Sequence, residues 1–115
     1  MRWSYVGKLG KGGVLDWGGN DSGNVPVSGS FLPDWEDTKL YLRIKGYAQE
    51  GRYHGRRVDW GASAIKVNGA EMLTVLEECY GSTDAVDPET LIGKYAAFAR
   101  KLGPEHYVAL VAAEM

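Results

Sequence analysis

Basic and aromatic side chains between Lys39 and Lys66 offer the most chemistry in this sequence. The segment carries seven Lys or Arg residues and only two acidic ones. Arginine presents a planar fork of donors, lysine a point charge, and tyrosine and histidine rings a stacking surface, a mixture that can bind carboxylates, phosphate or single-stranded nucleic acid. A solvated strand face that keeps the chain soluble explains the same charges. The candidate binding residues here are Tyr41, Arg43, Lys45, Arg52, His54 and Arg57.

Two tryptophans are the second group of candidate binding residues. Trp17 and Trp35 flank a loop rich in Gly, Asn, Asp and Ser. Tryptophan on a loop is often a binding hot spot, so the pair can line a cleft or a partner surface. The alternative is that both rings cover the open end of a small sheet.

Catalytic and metal-binding signatures are weak. The single cysteine, Cys79, falls on an apolar helix face and is expected to be a core residue, while His106 follows a helix and is expected to satisfy its free carbonyls. The acidic loop near Asn20 lacks the closing carboxylate of a calcium site, because Phe31 stands at that position. We therefore predict no catalytic residue, no metal and no cofactor. A small enzyme using His54 as acid or base beside Arg43 or Arg57 is the alternative.

Size and composition favour one domain. At 115 residues and 44% hydrophobic, the chain can close a core without disulfides. The N-terminus lacks the apolar stretch of a signal peptide, and the longest apolar run, Tyr107 to Ala113, is far shorter than a membrane span. These features predict a cytoplasmic protein that does not enter membranes. The net charge of −2 is divided unevenly, because residues 1 to 69 are basic and residues 70 to 115 acidic.

A hairpin is expected to position the basic residues. Thr38 to Tyr47 predicts a strand, because Leu40, Leu42 and Ile44 alternate with Tyr41 and two cations. A second strand is predicted over Arg52 to Trp60. If the side chains of that strand alternated strictly, the face that buries Val58 and Trp60 would also bury Arg52, His54 and Arg56. Burying these three side chains without partners would cost several kcal/mol for each one. A bulge at Gly55 would switch the parity and return the cations to solvent.

The remaining strands are short. A first strand is expected over Arg2 to Leu9, a return strand over Val14 to Trp17 and an edge strand over Val25 to Leu32, where Pro26 cannot donate to a central ladder. His106 to Ala113 is apolar on both faces, which is typical of a strand covered on both sides.

Two helices follow the hairpin. Asn68 and Glu71 form a capping-box pattern, so the first helix is predicted over residues 69 to 80, with Gly81 as its stop. The second is predicted to begin with Asp87 as cap and Pro88 in its first turn, and to end before Gly103.

These elements predict a single α+β domain over residues 1 to 115. Its mainly antiparallel sheet has five or six strands, with two helices on one face, in the order β-β-β-β-β-α-α-β. The leading functional hypothesis is a small non-catalytic binding protein of the inhibitor or immunity type, with a protein partner. A nucleic-acid-binding module using the basic hairpin 39–66 is an alternative, and self-association through an edge strand is open.

Overall fold

The computed structural model describes residues 2–9, 13, 15, 32–57 and 62–114. Within these ranges the chain forms five strands, three α-helices and one turn of 3-10 helix. In chain order they are β1 (Arg2–Gly7), β2 (Trp35–Glu36), α1 (Thr38–Glu50), the 3-10 turn (Arg52–His54), β3 (Arg56–Arg57), β4 (Ser63–Asn68), α2 (Gly69–Tyr80), α3 (Leu91–Leu102) and β5 (Tyr107–Glu114).

The five strands form one antiparallel sheet in the order β2-β1-β5-β4-β3. The last strand of the chain, β5, lies at its centre and pairs along its length with β1 and β4. Its residues from Val108 to Ala112 are buried, as expected for a strand that is apolar on both faces. The predicted α+β class with a mainly antiparallel sheet is therefore confirmed.

Both faces of the sheet are covered. Val6, Ile65 and Leu110 point to the face that packs against the helices. On the opposite face, Tyr5 and Val111 belong to a second apolar cluster whose other buried members include Leu15, Ala62, Ala64 and Ala109. This second face is an apolar layer of its own, and Arg43 and Lys45, which were expected on a strand of the basic hairpin, lie instead on the helix α1.

The segment predicted as the clearest strand, Thr38 to Tyr47, is instead the helix α1. Its buried residues are Leu40, Tyr41, Ile44, Tyr47 and Ala48, a spacing of three and four that matches helical periodicity. Asp37 caps the first turn by accepting from the Lys39 amide, and Gly51 ends the helix in the left-handed region at φ 74°. Leu42, counted as inward in a strand, is 49% exposed.

The predicted strand Arg52 to Trp60 is also wrong in its first half. Residues Arg52–His54 form the 3-10 turn, and only Arg56 and Arg57 pair with β4. Gly55 is therefore not a β-bulge. It is glycine because the chain passes close to α1, where an added Cβ would lie 2.5 Å from the Ala48 Cα atom. Arg52 and His54 are not part of a strand, so the alternation that would have buried their side chains does not apply to them.

The helix α2 has the predicted bounds, and both halves of its capping box form between Asn68 and Glu71. The helix α3 starts later than predicted. Thr90, not Asp87, is its N-cap, and the Asp87 carboxylate accepts instead from the Glu89 amide in the preceding turn. The element order within the described ranges is thus β-β-α-β-β-α-α-β, with three helices where two were predicted.

Several predictions fall on other parts of the chain. The strands over Val14 to Trp17 and Val25 to Leu32 lie almost wholly outside the described residues, as do Val58 and Trp60. Both edge strands of the described sheet have two residues, so strand addition there would form few ladder hydrogen bonds. Self-association through an edge stays a prediction. No helix in the described ranges has the length and apolarity needed to cross a bilayer.

The hydroxyl of Tyr95 ties α3 to the start of the sheet, which yields a stability prediction. Tyr95 is fully buried and donates to the Pro33 carbonyl at 2.6 Å, with the Ser4 carbonyl 3.5 Å away. Tyr95→Phe should lower the free energy of unfolding by about 1 kcal/mol, because the hydrogen bond from the buried hydroxyl to the part-buried Pro33 carbonyl is lost. Urea denaturation measures this. Tyr107→Phe, at a ring 45% exposed, is the control, and an equal loss in both variants would contradict the assignment.

Candidate binding surface

Arg43 and Lys45 of α1, Arg52 and His54 of the 3-10 turn and Arg57 of β3 form what we call the basic surface, and all five were predicted as binding residues. The neighbouring Arg56 points to the opposite face of the sheet, where it donates to the Leu15 carbonyl at 3.1 Å. All five members of the basic surface are exposed except the half-buried Lys45. Tyr41, the remaining predicted member in this segment, is only 1% exposed and belongs to the core.

Two arginines of the basic surface, Arg43 and Arg52, lie over tyrosine rings. The Arg52 guanidinium carbon lies 4.5 Å from the Tyr47 ring centroid and 5.5 Å from that of Tyr53. Arg43 approaches Tyr47 at 5.9 Å, and the two tyrosines meet edge to face with centroids 5.3 Å apart. A guanidinium held over a ring loses less conformational freedom when it binds an anion. These arginines are therefore pre-organised donors.

The 3-10 turn contains two strained residues. Tyr53 and His54 both have positive φ, at 54° and 56°. Such conformations cost of order 1–3 kcal/mol each and persist only where the surroundings impose them. Here the Tyr53 ring packs on Tyr47, and Gly55 is wedged against α1. The exposed His54 is therefore held in one backbone conformation between α1 and β3, and both of these elements carry arginines.

On the other flank of α1, Tyr41 joins the helix to the sheet. Its hydroxyl donates to the Glu114 carboxylate at 2.8 Å. Arg2 and Lys45 lie over its ring at 5.3 and 5.8 Å. The hydrogen bond from Tyr41 lowers the pKa of Glu114, while burial, followed by the same bond, raises the pKa of Tyr41. Tyr41 therefore acts as a structural link, with a charged pair around it.

A groove with a volume of about 440 Å³ runs between α1 and the end of α2. Lys39, Arg43 and Gly46 line it from α1, and Glu78 and Cys79 from α2. The Tyr47 hydroxyl donates to Glu78 at 2.5 Å and so bridges the two helices. The groove adjoins the basic surface through Arg43, which belongs to both.

Cys79 was expected to be a core residue, but it is half-buried at the edge of the core and also lines the groove. Burial raises the pKa of its thiol, and this outweighs the opposing effect of the nearby Arg43 side chain. The sulfur lies 3.9 Å from the Lys39 carbonyl oxygen, which it approaches as a donor. A thiol with a raised pKa is a poor nucleophile at neutral pH.

The two histidines occupy separate places. His106 Nδ1 is 3.2 Å from the Leu102 carbonyl at the end of α3, the structural role expected for it. His54 is exposed on the 3-10 turn and does not line the groove. Across the described ranges, no group of three or more His, Cys, Asp or Glu side chains is arranged to hold a metal ion.

The predicted tryptophans do not extend the basic surface. Trp35 is half-buried in β2, stacked on Tyr80 with centroids 5.1 Å apart and tilted against Tyr95 at the same distance. Trp35 thus packs against the core from an edge strand, and the alternative that it covers the open end of the sheet stays a prediction. Trp17 lies outside the described residues. A binding role for either ring stays a prediction.

Sequence reasoning missed the residues that give the surface its shape. Tyr47 and Tyr53 hold the arginines, and Leu42 and Gly46 shape the groove. The sequence did contain a signal for the helix α1, because Asp37 and Gly51 are suitable cap residues at the two ends of its 13 residues. Comparison of the sequence with protein-family profiles, with curated proteins and with solved structures gives no match.

Buried tyrosines predict a loss of stability at high pH. Burial raises the pKa of Tyr41 and Tyr47, and it raises the pKa of Tyr5 to about 12. An unfolded tyrosine ionises near pH 10, so the stabilisation is complete below pH 10 and is lost as the pH rises through the folded pKa values. The free energy of unfolding should fall by about 2 kcal/mol between pH 10 and 12. Urea denaturation across this range measures it.

The Tyr47→Phe variant refines the pH experiment. It should show a smaller fall than the wild-type protein, because one tyrosine with a raised pKa is removed. A flat profile up to pH 12 in the wild-type protein would contradict the assignment.

Replacing Gly46 by alanine is expected to stabilise the protein. Within the described chain, a methyl group at Gly46 would meet no atom within 4 Å, and its φ is not positive. Gly69 and Gly93 differ, because a Cβ there would lie 2.3 and 2.1 Å from backbone oxygens. Glycine inside a helix costs about 1 kcal/mol relative to alanine. Gly46→Ala should therefore raise the unfolding free energy by about 0.5–1 kcal/mol, whereas Gly93→Ala should lower it.

Proposed function

We propose that this protein is a non-catalytic binding protein that engages an acidic surface of a protein partner. Its contact region is the basic surface, and an inhibitor- or immunity-type role suits a domain of this kind. The observation that carries the proposal is the contact of the Arg52 guanidinium with the rings of both Tyr47 and Tyr53 beside a strained turn. The fold does not require strain and ordered exposed charge at one place, whereas recognition of an anionic partner does.

The arrangement of charge favours a protein partner over nucleic acid. Glu50 and Glu78 lie beside the cations on α1, and residues 70 to 115 carry eight acidic residues against three basic ones. A continuous phosphate backbone would be repelled by these carboxylates, whereas a protein can match a mixed pattern. The hairpin that motivated the nucleic-acid alternative does not form, and both faces of the described sheet are covered.

An enzymatic role has less support. The proposal of His54 as acid or base beside Arg43 required a pocket that contains both. The groove includes Arg43 and leaves out His54. Binding therefore accounts for the basic surface better than general acid–base chemistry.

Binding experiments with charge variants test the proposal. Partners are captured from nuclease-treated lysate on the immobilised wild-type protein, identified, purified and titrated by calorimetry. Arg52→Ala and Arg57→Ala should each weaken binding at least tenfold, because anchored interface arginines contribute about 2 kcal/mol or more. Arg52→Lys should recover only part of the affinity, since lysine lacks the planar fork.

The matched control is Lys94→Ala, at an exposed cation on α3. It should leave the affinity within twofold of the wild type. Equal affinity of the Arg52, Arg57 and Lys94 variants would contradict the proposal. Capture that disappears on nuclease treatment would instead support the nucleic-acid alternative.

A further inference from the structure

The 3-10 turn places a histidine where the backbone favours glycine or asparagine. The Gly55 amide donates to the Arg52 carbonyl at 2.9 Å, and the two residues between them, Tyr53 and His54, both have positive φ. Positive φ at both central residues is the pattern of a type I′ turn, in which Gly, Asn and Asp dominate these positions. Other side chains are disfavoured there, because the Cβ atom comes close to the following carbonyl oxygen. Both residues therefore make the turn less stable than glycine would.

Packing within the domain offsets this cost at Tyr53. Its half-buried ring packs against the main core cluster and meets the Tyr47 ring edge to face. The same ring lies 5.5 Å from the Arg52 guanidinium carbon. Glycine at position 53 would remove all three contacts, so the tyrosine has a structural reason to occupy a strained position.

No contact offsets the cost at His54 within the part of the chain that the structure describes. The imidazole is exposed and makes no hydrogen bond, ion pair or ring contact with another described residue. His106, the other histidine of the chain, contacts the Leu102 carbonyl instead. Glycine or asparagine at position 54 would keep the turn with less strain. The stability of the described domain therefore does not explain the imidazole, and residues strained in this way are concentrated at ligand-binding and switch sites.

The cations on either side of His54 are not fully compensated. Arg57 is exposed and, among the described residues, forms no ion pair. Arg52 lies 4.0 Å from Glu50, but both side chains are more than half exposed, so this pair is weak. Three residues of chain span at most about 11 Å, which places His54 and Arg57 close enough for one acidic segment to contact both. A carboxylate at the turn would therefore meet positive charge that the domain leaves without a strong partner.

We infer that His54 is the specificity-determining residue of the basic surface, and that its imidazole donates an N–H hydrogen bond to an Asp or Glu carboxylate of the protein partner. Arg57 binds the same acidic segment. The imidazole ring holds its N–H groups in fixed directions, so it selects the position of a carboxylate more strictly than a flexible lysine does. The inference rests on the proposed function and identifies the residue that distinguishes the partner from other acidic surfaces.

The first measurement needs no partner. His54→Gly should raise the melting temperature by about 2–4 °C, because glycine adopts positive φ without the steric cost of a Cβ atom. A fall in the melting temperature would show that the domain itself needs the imidazole, and would overturn the inference.

The second measurement titrates the partner captured from lysate, once purified, by calorimetry. His54→Gly should weaken its binding at least fivefold, and His54→Asn, which tolerates the same turn and keeps a side-chain N–H, should recover part of the affinity. The control is His106→Ala, outside the basic surface, which should bind within twofold of the wild type.

A double-mutant cycle then identifies the carboxylate. The Asp and Glu residues of the partner are changed singly to Asn and Gln. One of these changes should weaken binding to the wild-type protein at least fivefold and leave binding to His54→Gly unchanged. Equal binding of His54→Gly and the wild type, or a lack of coupling at every carboxylate of the partner, would overturn the inference.

The arginine variants separate the two proposals. If Arg52→Ala and Arg57→Ala weaken binding of the partner and His54→Gly does not, the inference about His54 is wrong and the proposed function stands. If none of the three variants weakens binding, or if no partner is captured, both are wrong.

Discussion

The seating of α1 on the sheet is the constraint from which the rest of the surface follows. Two tyrosines six residues apart, Tyr41 and Tyr47, are buried at opposite flanks of the helix, and each donates its hydroxyl to a carboxylate of another element. Cations lie over both rings. With the helix fixed at both flanks, its solvent-facing residues have one defined arrangement. The basic residues of α1 therefore occupy fixed positions relative to the sheet.

The turn after α1 extends this arrangement. Gly51 ends the helix in the left-handed region, and the next residues reach β3 only by passing close to Ala48, which requires glycine at position 55. Between these two glycines, Tyr53 and His54 adopt positive φ, and the Tyr53 ring packs back on Tyr47. The strain is supported by this packing and by the 3-10 hydrogen bond from the Gly55 amide to the Arg52 carbonyl at 2.9 Å. Order and exposure are combined here in a way that loops of a purely structural kind do not need.

The two sides of α1 differ in packing. Side chains on its inner side are buried in the core, whereas on its groove side Leu42 is 49% exposed and, among the described residues, no atom lies within 4 Å of a Cβ added at Gly46. The two sides share Tyr47, which packs in the core, carries Arg52 and Arg43 on its ring and binds Glu78 across the groove. A change at Tyr47 would therefore affect the fold, the basic surface and the groove together, whereas Arg52 and Gly46 separate these contributions.

Local signals in the sequence determined the parts of the fold that depend on neighbouring residues. The capping box of Asn68 and Glu71 predicted α2, and the run near Val108, which is apolar on both faces, predicted β5. Both signals depend only on residues that are close together in the sequence. The segment from Thr38 to Tyr47 alternates over six residues and also satisfies a helical spacing over its whole length. The caps Asp37 and Gly51 favour the helix, but the tertiary structure decided between the two spacings, because Tyr41 and Tyr47 are inward residues only where α1 packs against the rest of the core. Their hydroxyls then donate to Glu114 and Glu78, which are distant in sequence. The basic residues were visible in the sequence, but their surface was not, because it depends on which side of α1 the sheet covers.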